Sequence, residues 1–190
     1  MRFVRIVTFC GSIRSGSLNR KLLAQAIEVL RPSAEIDAAE LRDVPLPIYD
    51  GDLETSSGVP APAQRLADRI AAADGLVIAC PEYNNSIPGS VKNAIDWMSR
   101  LKPQPFKGKP VLLLGASPGA YGAIRSQVAL RQVMTSLLAV LVPSQVALPH
   151  ADQAFEADGR LKDPKVRVSI ERACSELQRF IAAFAAQPKG

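Results

Sequence analysis

Histidine is almost missing from this chain: His150 is the only one. It lies just past Pro149, and a lone imidazole is a weak basis for a catalytic triad or a metal cluster. The three cysteines, Cys10, Cys80 and Cys174, have neither metal-ligand spacing nor the even count of a disulfide framework. Cys10 and Cys80 each close an apolar strand, so they are expected near each other at one sheet edge, as small buried packing residues. Aromatic residues make up only 5% of the chain and the Lys and Arg residues are scattered. That argues against nucleic acid, which calls for a clustered basic stripe with interleaved aromatics. No apolar run is long enough to span a membrane. The run after Met1-Arg2 is too short for a secretory leader, so a cytoplasmic location is expected. Two phosphate-binding signatures are also absent. Without Gly-x-x-x-x-Gly-Lys-Ser/Thr, nucleoside-triphosphate hydrolysis is disfavoured, and without Gly-x-Gly-x-x-Gly there is no standard dinucleotide fingerprint.

What is present describes an ordinary globular chain. Its 190 residues, 47% hydrophobic and 22% charged, suit a single domain with its own core. The net charge of +5 fits either an anionic small ligand or a solvated basic surface.

Phe3–Phe9 reads as a first strand, rich in β-branched and aromatic residues. Cys10-Gly11-Ser12-Ile13-Arg14-Ser15-Gly16-Ser17-Leu18-Asn19 then leads into a helix with Leu18, Leu22, Leu23, Ala26, Ile27 and Leu30 at helical spacing, and Ser17 is the natural N-cap. A strand, a hydroxyl-rich loop and a helix N-terminus in succession can hold a phosphate through unpaired backbone N–H groups, with Arg14 adding charge. An ordinary capped turn has the same composition. Glu35–Leu41 reads as a weak second strand. Arg42–Pro62 shows no periodicity and reads as a long loop forming a flap over the strand ends. Ala63–Ala73 follows as a helix.

Gly75–Ala79 is a third, buried strand. After it comes the least ordinary stretch of the chain, Pro81-Glu82-Tyr83-Asn84-Asn85-Ser86-Ile87-Pro88, which runs into a helix with Val91, Ala94, Ile95 and Met98 on one face. An acid, a phenol and two amides between stiffening prolines exceed what a bare connection needs. Pro110–Ala116 is the fourth strand, and Ser117-Pro118-Gly119-Ala120-Tyr121-Gly122 is a second loop with glycines, read either as a turn or as backbone able to approach a flat ligand. A helix over Ala123–Leu141, a strand over Ser144–Leu148 and a final helix complete the chain, with the tail fraying at Gln187–Gly190.

Five strands alternating with five helices predict a parallel sheet covered on both faces. In such sheets the ligand sits beyond the carboxyl ends of the strands, where strand order reverses. The three unusual loops follow strands one, three and four, so they converge on that edge. A phosphate cradle, a Pro-Glu-Tyr-Asn loop and a glycine loop together suit a nucleotide-like ligand with one phosphate and a planar ring. Tyr83 would cover a face or flank of the ring, and the Asn84 amide would meet its polar edge. No carboxylate pair, Ser-His-Asp set or metal set is visible, so the hard chemistry of an enzyme built this way would belong to a cofactor.

The segments Gly11-Ser12-Ile13-Arg14-Ser15-Gly16-Ser17-Leu18-Asn19 and Pro81-Glu82-Tyr83-Asn84 through Trp97 resemble the NADPH-dependent FMN reductase family, in particular the bacterial quinone and chromate reductases. The resemblance runs from the first strand through Leu141. It implies a three-layer, flavodoxin-like α/β sandwich with strand order 2-1-3-4-5 and FMN at the switch point. Ser12, Arg14, Ser17 and Asn19, with Leu18 among them, would hold the phosphate. Pro81, Glu82, Tyr83 and Asn84 would line the isoalloxazine, and Ser117 with Gly119 would close its other side. It further implies a homodimer or homotetramer, with contacts on the helix after Pro88 and on the one containing Arg125. NADPH or NADH would be the cosubstrate and a small molecule such as a quinone, flavin or chromate the electron acceptor, with no catalytic side chain and no metal. The competing expectations are a flavodoxin-type electron carrier and a flavin-binding sensor. Carriers of that type look acidic, whereas this chain is basic and places Arg14 in the phosphate loop.

Overall fold

A computed structural model describes residues 3–186, so the expected fraying of Gln187–Gly190 lies outside the described residues. Five strands, β1 (Val4–Cys10), β2 (Ala34–Glu40), β3 (Gly75–Ala79), β4 (Pro110–Ala116) and β5 (Val140–Leu148), form one parallel sheet in the order β2-β1-β3-β4-β5. β3 and β4 have no exposed position, as central strands with helices on both faces must. Helices α1 (Leu18–Leu30) and α6 (Pro164–Ala185) cover one face, and Leu22, Ala26, Leu30, Ile170 and Leu177 pack there. On the other face lie α3 (Ala61–Ala72), α4 (Gly89–Ser99) and α5 (Ile124–Ser136), around Leu66, Ile70, Val91, Ile95, Leu130 and Met134. This is the flavodoxin-like arrangement. Cys10 pairs in register with Ala79, so β1 and β3 end level with each other.

Two expectations need correction. First, Arg42–Pro62 is not an unstructured flap. It holds a 3-10 turn at Leu41–Asp43 and a short helix, α2 (Gly51–Ser57), whose N-cap Asp50 accepts from the Asp52 N–H at 2.9 Å. α2 has no fully buried residue and presents only Leu53 to the core, so it offers no periodicity to read. The segment is also anchored: the Pro47 carbonyl accepts from Trp97 Nε1 and Asn93 Nδ2, each at 2.8 Å, and Tyr49 meets the Trp97 ring edge-on.

Second, α5 stops at Ser136 rather than running to Leu141. Leu138 adopts φ 62°, and the Leu138 and Ala139 N–H groups bond back to the Thr135 and Met134 carbonyls, each at 3.0 Å. That is a Schellman stop with leucine where glycine is usual, so the residue type gave no signal. β5 correspondingly begins earlier and passes through Pro143, which an edge strand tolerates beside the register irregularity opposite Val111–Leu113.

Cys10 and Cys80 sit at neighbouring strand ends, as expected, and pack on opposite faces of the sheet. Both are buried and free, and burial pushes the Cys80 thiol up to about 12. Such a thiol is packing material, as expected.

Candidate functional site

The carboxyl ends of β1, β3 and β4 open onto a cleft of about 250 Å³ lined by Ser12, Arg14, Ser17, Leu18, Asn19, Pro81, Glu82, Tyr83, Ala116, Ser117 and Pro118. It lies at the switch point, since the chain leaves β1 for β2 on one side and continues from β3 through β5 on the other. Of the residues expected at the cofactor, only Asn84 and Gly119 are off this surface. Two larger grooves, about 530 Å³ each, run along α4 beside Leu41–Tyr49 and include none of the expected residues. The size of a groove is a poor guide here, and convergence of polar groups is a better one.

The β1–α1 loop is built around its backbone. Ser17 Oγ caps α1 by accepting from the Arg20 N–H at 3.2 Å, and Ser12 Oγ accepts from the Arg14 N–H at 3.4 Å. Asn19, nearly fully buried, pairs with the last residue of β4. Its Nδ2 donates to the Ala116 carbonyl at 2.8 Å, and its Oδ1 accepts from the Ala116 N–H at 2.9 Å. Both ends of that carboxamide are therefore engaged with the protein. Asn19 acts as a strut between α1 and β4, with one N–H left for a ligand. Arg14 is exposed and lines the cleft.

Sequence reasoning overlooked Arg20 and Arg42. The Arg20 guanidinium forms an ion pair with Glu40 at 2.8 Å and also donates to the carbonyls of Arg14 at 2.7 Å, Ser15 at 3.2 Å and Ser12 at 3.5 Å. Arg42 Nη2 donates to the Ile13 carbonyl. Their only sequence signal was charge beside a loop, because contact with main-chain oxygens leaves no trace in residue spacing.

The β3–α4 loop turns its polar groups inward or along the chain. The carboxylate of Glu82 accepts from the Arg125 and Ser126 N–H groups at 2.9 and 3.3 Å and pairs with Arg125 Nη1 at 3.2 Å. Those N–H groups belong to the first turn of α5, whose own N-cap residue, Ala123, has no capping side chain. Glu82 thus caps a helix 43 residues away. Tyr83-Asn84-Asn85-Ser86 forms a tight turn closed by reciprocal Tyr83–Ser86 backbone bonds, with Asn84 at φ 51° and Asn85 at φ 62°. Two successive left-handed residues make a type I′ turn, the form Asn tolerates best after Gly. The expected amide donor, Asn84, is the corner of that turn and does not line the cleft. Arg125 also stacks 4.1 Å over the Tyr121 ring and bonds Asn85 Oδ1 at 2.8 Å, which locks the β3–α4 and β4–α5 loops together.

In the β4–α5 loop the expected glycine is not the constrained one. A Cβ on Gly119 would meet only Ser117 Oγ, at 3.5 Å. Gly122 sits at φ 57°, and a Cβ there would lie 2.6–2.7 Å from the Leu148 and Ala147 backbone. The glycine requirement is for chain-on-chain packing and not for approach to a ligand. Among the described residues, no group of three or more His, Cys, Asp and Glu could hold a metal ion.

The family model for NADPH-dependent FMN reductase matches residues 4–153. The chain belongs to the NADPH-dependent FMN reductase family. It is 41% identical over 179 residues to an NAD(P)H-dependent FMN reductase of Pseudomonas aeruginosa, covering 94% of this chain and 95% of the relative. It is 44% identical over 140 residues to the quinone reductase of Escherichia coli K12, covering 73% of each. Among solved structures it superposes on FerB, a flavoenzyme NAD(P)H:(acceptor) oxidoreductase from Paracoccus denitrificans, with a TM-score of 0.82 at 33% identity, covering 95% of this chain and 98% of that one. The protein is accordingly an FMN- and NAD(P)H-dependent oxidoreductase of this family, and the match extends past Leu141, where the resemblance noted in the sequence faded.

Proposed function

We propose that this protein passes a hydride from NAD(P)H to a small two-electron acceptor, of which a quinone is the best-supported class, through FMN held in the switch-point cleft. The observation that carries the reading is the division of the cleft into a phosphate end and a ring end. At the first, Arg14, the Ser12 and Ser17 hydroxyls and the N-terminus of a 13-residue helix supply donors and positive potential. At the second, Pro81, Tyr83, Ala116 and Pro118 offer apolar surface beside Glu82 and Ser117. These residues fit a phosphate monoester carrying a planar ring.

Bound there, FMN supplies the redox chemistry, accepting a hydride from one substrate and delivering it to the next. The side chains bind and orient. Arg14 neutralises phosphate charge, while Glu82, held by the first turn of α5, fixes the loop against the ring and has no free role as acid or base. A single bound FMN serving both substrates in turn would give parallel-line, ping-pong kinetics. We further place the protein in the cytoplasm, in keeping with three free buried cysteines, as a single FMN-binding domain that assembles into homodimers or homotetramers. The groove between α4 and Ile48, which is 85% exposed, is where a second copy would sit. No helix of the described residues is long and apolar enough to cross a membrane.

The test is anaerobic mixing of the FMN-loaded protein with NADPH, followed by addition of a benzoquinone. Rapid bleaching of the flavin absorbance and its return with quinone are expected. A yellow protein that bleaches only slowly would be an electron carrier, and a protein that stays colourless with excess FMN would overturn the reading.

A further inference from the structure

The guanidinium contacts behind the phosphate loop follow a pattern. Four consecutive carbonyls, those of Ser12, Ile13, Arg14 and Ser15, each accept from an arginine: Arg20 takes the first, third and fourth, and Arg42 takes the second. Both arginines approach from one direction. Arg20 is braced by Glu40, the last residue of β2, and Arg42 follows two residues later. β2 flanks β1 on one side, while β3 and β4, whose ends frame the cleft, lie on the other.

A trans peptide sets its carbonyl and the next N–H antiparallel. The only cis bond among the described residues is Lys102–Pro103. Holding those four carbonyls toward β2 therefore turns the N–H groups of Ile13, Ser15 and Gly16 the other way, toward the cleft side, while the Arg14 N–H is taken by Ser12 Oγ at 3.4 Å. Successive N–H groups facing one way make an anion-binding concavity. Without the arginines, carbonyl dipoles would be free to swing toward the cleft, where they would repel a phosphate.

We propose that Arg20, braced by Glu40, is a positioning residue that presets the β1–α1 loop for a phosphate monoester without touching it. The inference rests on the FMN reading above and adds a selectivity element to it. Arg14 meets the phosphate from the cleft, and Arg20 fixes the backbone from behind. Arg20 therefore decides how strongly the protein prefers FMN over riboflavin, the same ring without the phosphate. Lysine cannot replace it: one ammonium has three donors and no planar fork, and it cannot serve three carbonyls and a carboxylate at once.

The experiment titrates the full-length protein, freed of flavin, with FMN and separately with riboflavin, reading the quenching of flavin fluorescence. Arg20→Ala is expected to raise the FMN dissociation constant about tenfold or more, the scale of one charge-assisted contact, while riboflavin shifts less than about twofold. Arg20→Lys should recover only part of the loss. Glu40→Gln keeps Arg20 but loosens its brace, and should weaken FMN about threefold with riboflavin again unmoved. This milder variant keeps the test open if Arg20→Ala folds poorly. Equal weakening of both flavins would mean general damage to the scaffold and would overturn the proposal, as would unchanged FMN affinity in Arg20→Ala and Glu40→Gln. A wild-type protein that binds no FMN sinks the flavin reading and this inference together, whereas normal wild-type binding with insensitive variants sinks this inference alone.

Discussion

The two rims of the cleft are built on opposite plans. On the β1–α1 rim, side chains from elsewhere hold the loop from behind: Arg20 and Arg42 take its carbonyls and Asn19 ties its helix to Ala116. Arg14 is left exposed at the cleft. On the β3–α4 rim, polar side chains of the loop are engaged within the protein, Glu82 capping α5 and Asn85 accepting from Arg125. Polar residues in a binding loop thus serve two purposes, and the sequence alone does not separate them. On the reading proposed above, one rim binds charge and the other holds a flat surface still.

The rims meet at Gly11, and the largest effect is expected there. A Cβ on Gly11 would lie 2.5 Å from Val91 Cγ2 and 3.1 Å from Pro81 Cδ, so alanine must push the two loops apart. Gly11→Ala should cost about 2 kcal/mol, within the usual range for overpacking, and lower Tm by roughly 4–8 °C for a chain of this size. FMN should be retained less well, because both rims move. Thermal unfolding with and without FMN checks this, and a variant with unchanged Tm would show that the rims are less tightly joined than their spacing implies.

Removing the Glu82 carboxylate tests the second rim alone. Glu82→Ala leaves two first-turn N–H groups of α5 uncapped and Arg125 without its ion pair, and should cost about 1–2 kcal/mol. Glu82→Gln keeps an acceptor oxygen and should cost less than about 1 kcal/mol. Since Glu82 is engaged with α5, the FMN-loaded Gln variant should reduce at a rate within about tenfold of wild type, a difference of less than about 1.4 kcal/mol in barrier. Stopped-flow reduction by NADPH measures it. A collapse of hydride transfer with FMN still bound would return Glu82 to an acid-base role and erase the contrast between the rims.

How much of this was legible follows the same division. The sheet was readable because β3 and β4 are buried on both faces and appear as continuous apolar runs, and the cleft because loops after parallel strands share an edge. Ser17 as N-cap was readable because capping is local. The roles of Arg20, Asn19 and Glu82 were not, since each is set by a partner far along the chain: 20 residues for Arg20–Glu40, 97 for Asn19–Ala116 and 43 for Glu82–Arg125. α2 was missed because it has no fully buried residue, and the end of α5 because a leucine adopts the conformation that glycine usually marks.

The smallest expected effect discriminates well. Asn84 was chosen in the sequence as an amide donor to the ring, yet it stands at the first corner of a type I′ turn and away from the cleft lining. Glycine is at least as comfortable as asparagine at φ 51°, so Asn84→Gly preserves the turn and deletes only the carboxamide. Stability should change by less than about 0.5 kcal/mol and FMN affinity by less than about twofold. Asn84→Val retains a side chain but strains the corner, at a cost of about 1–2 kcal/mol, with a shift in Tm. If the corner conformation is what matters, valine is the damaging change and glycine the silent one. If the amide reaches the cofactor, both changes weaken FMN binding, glycine with the fold intact, and the second rim then binds through a side chain.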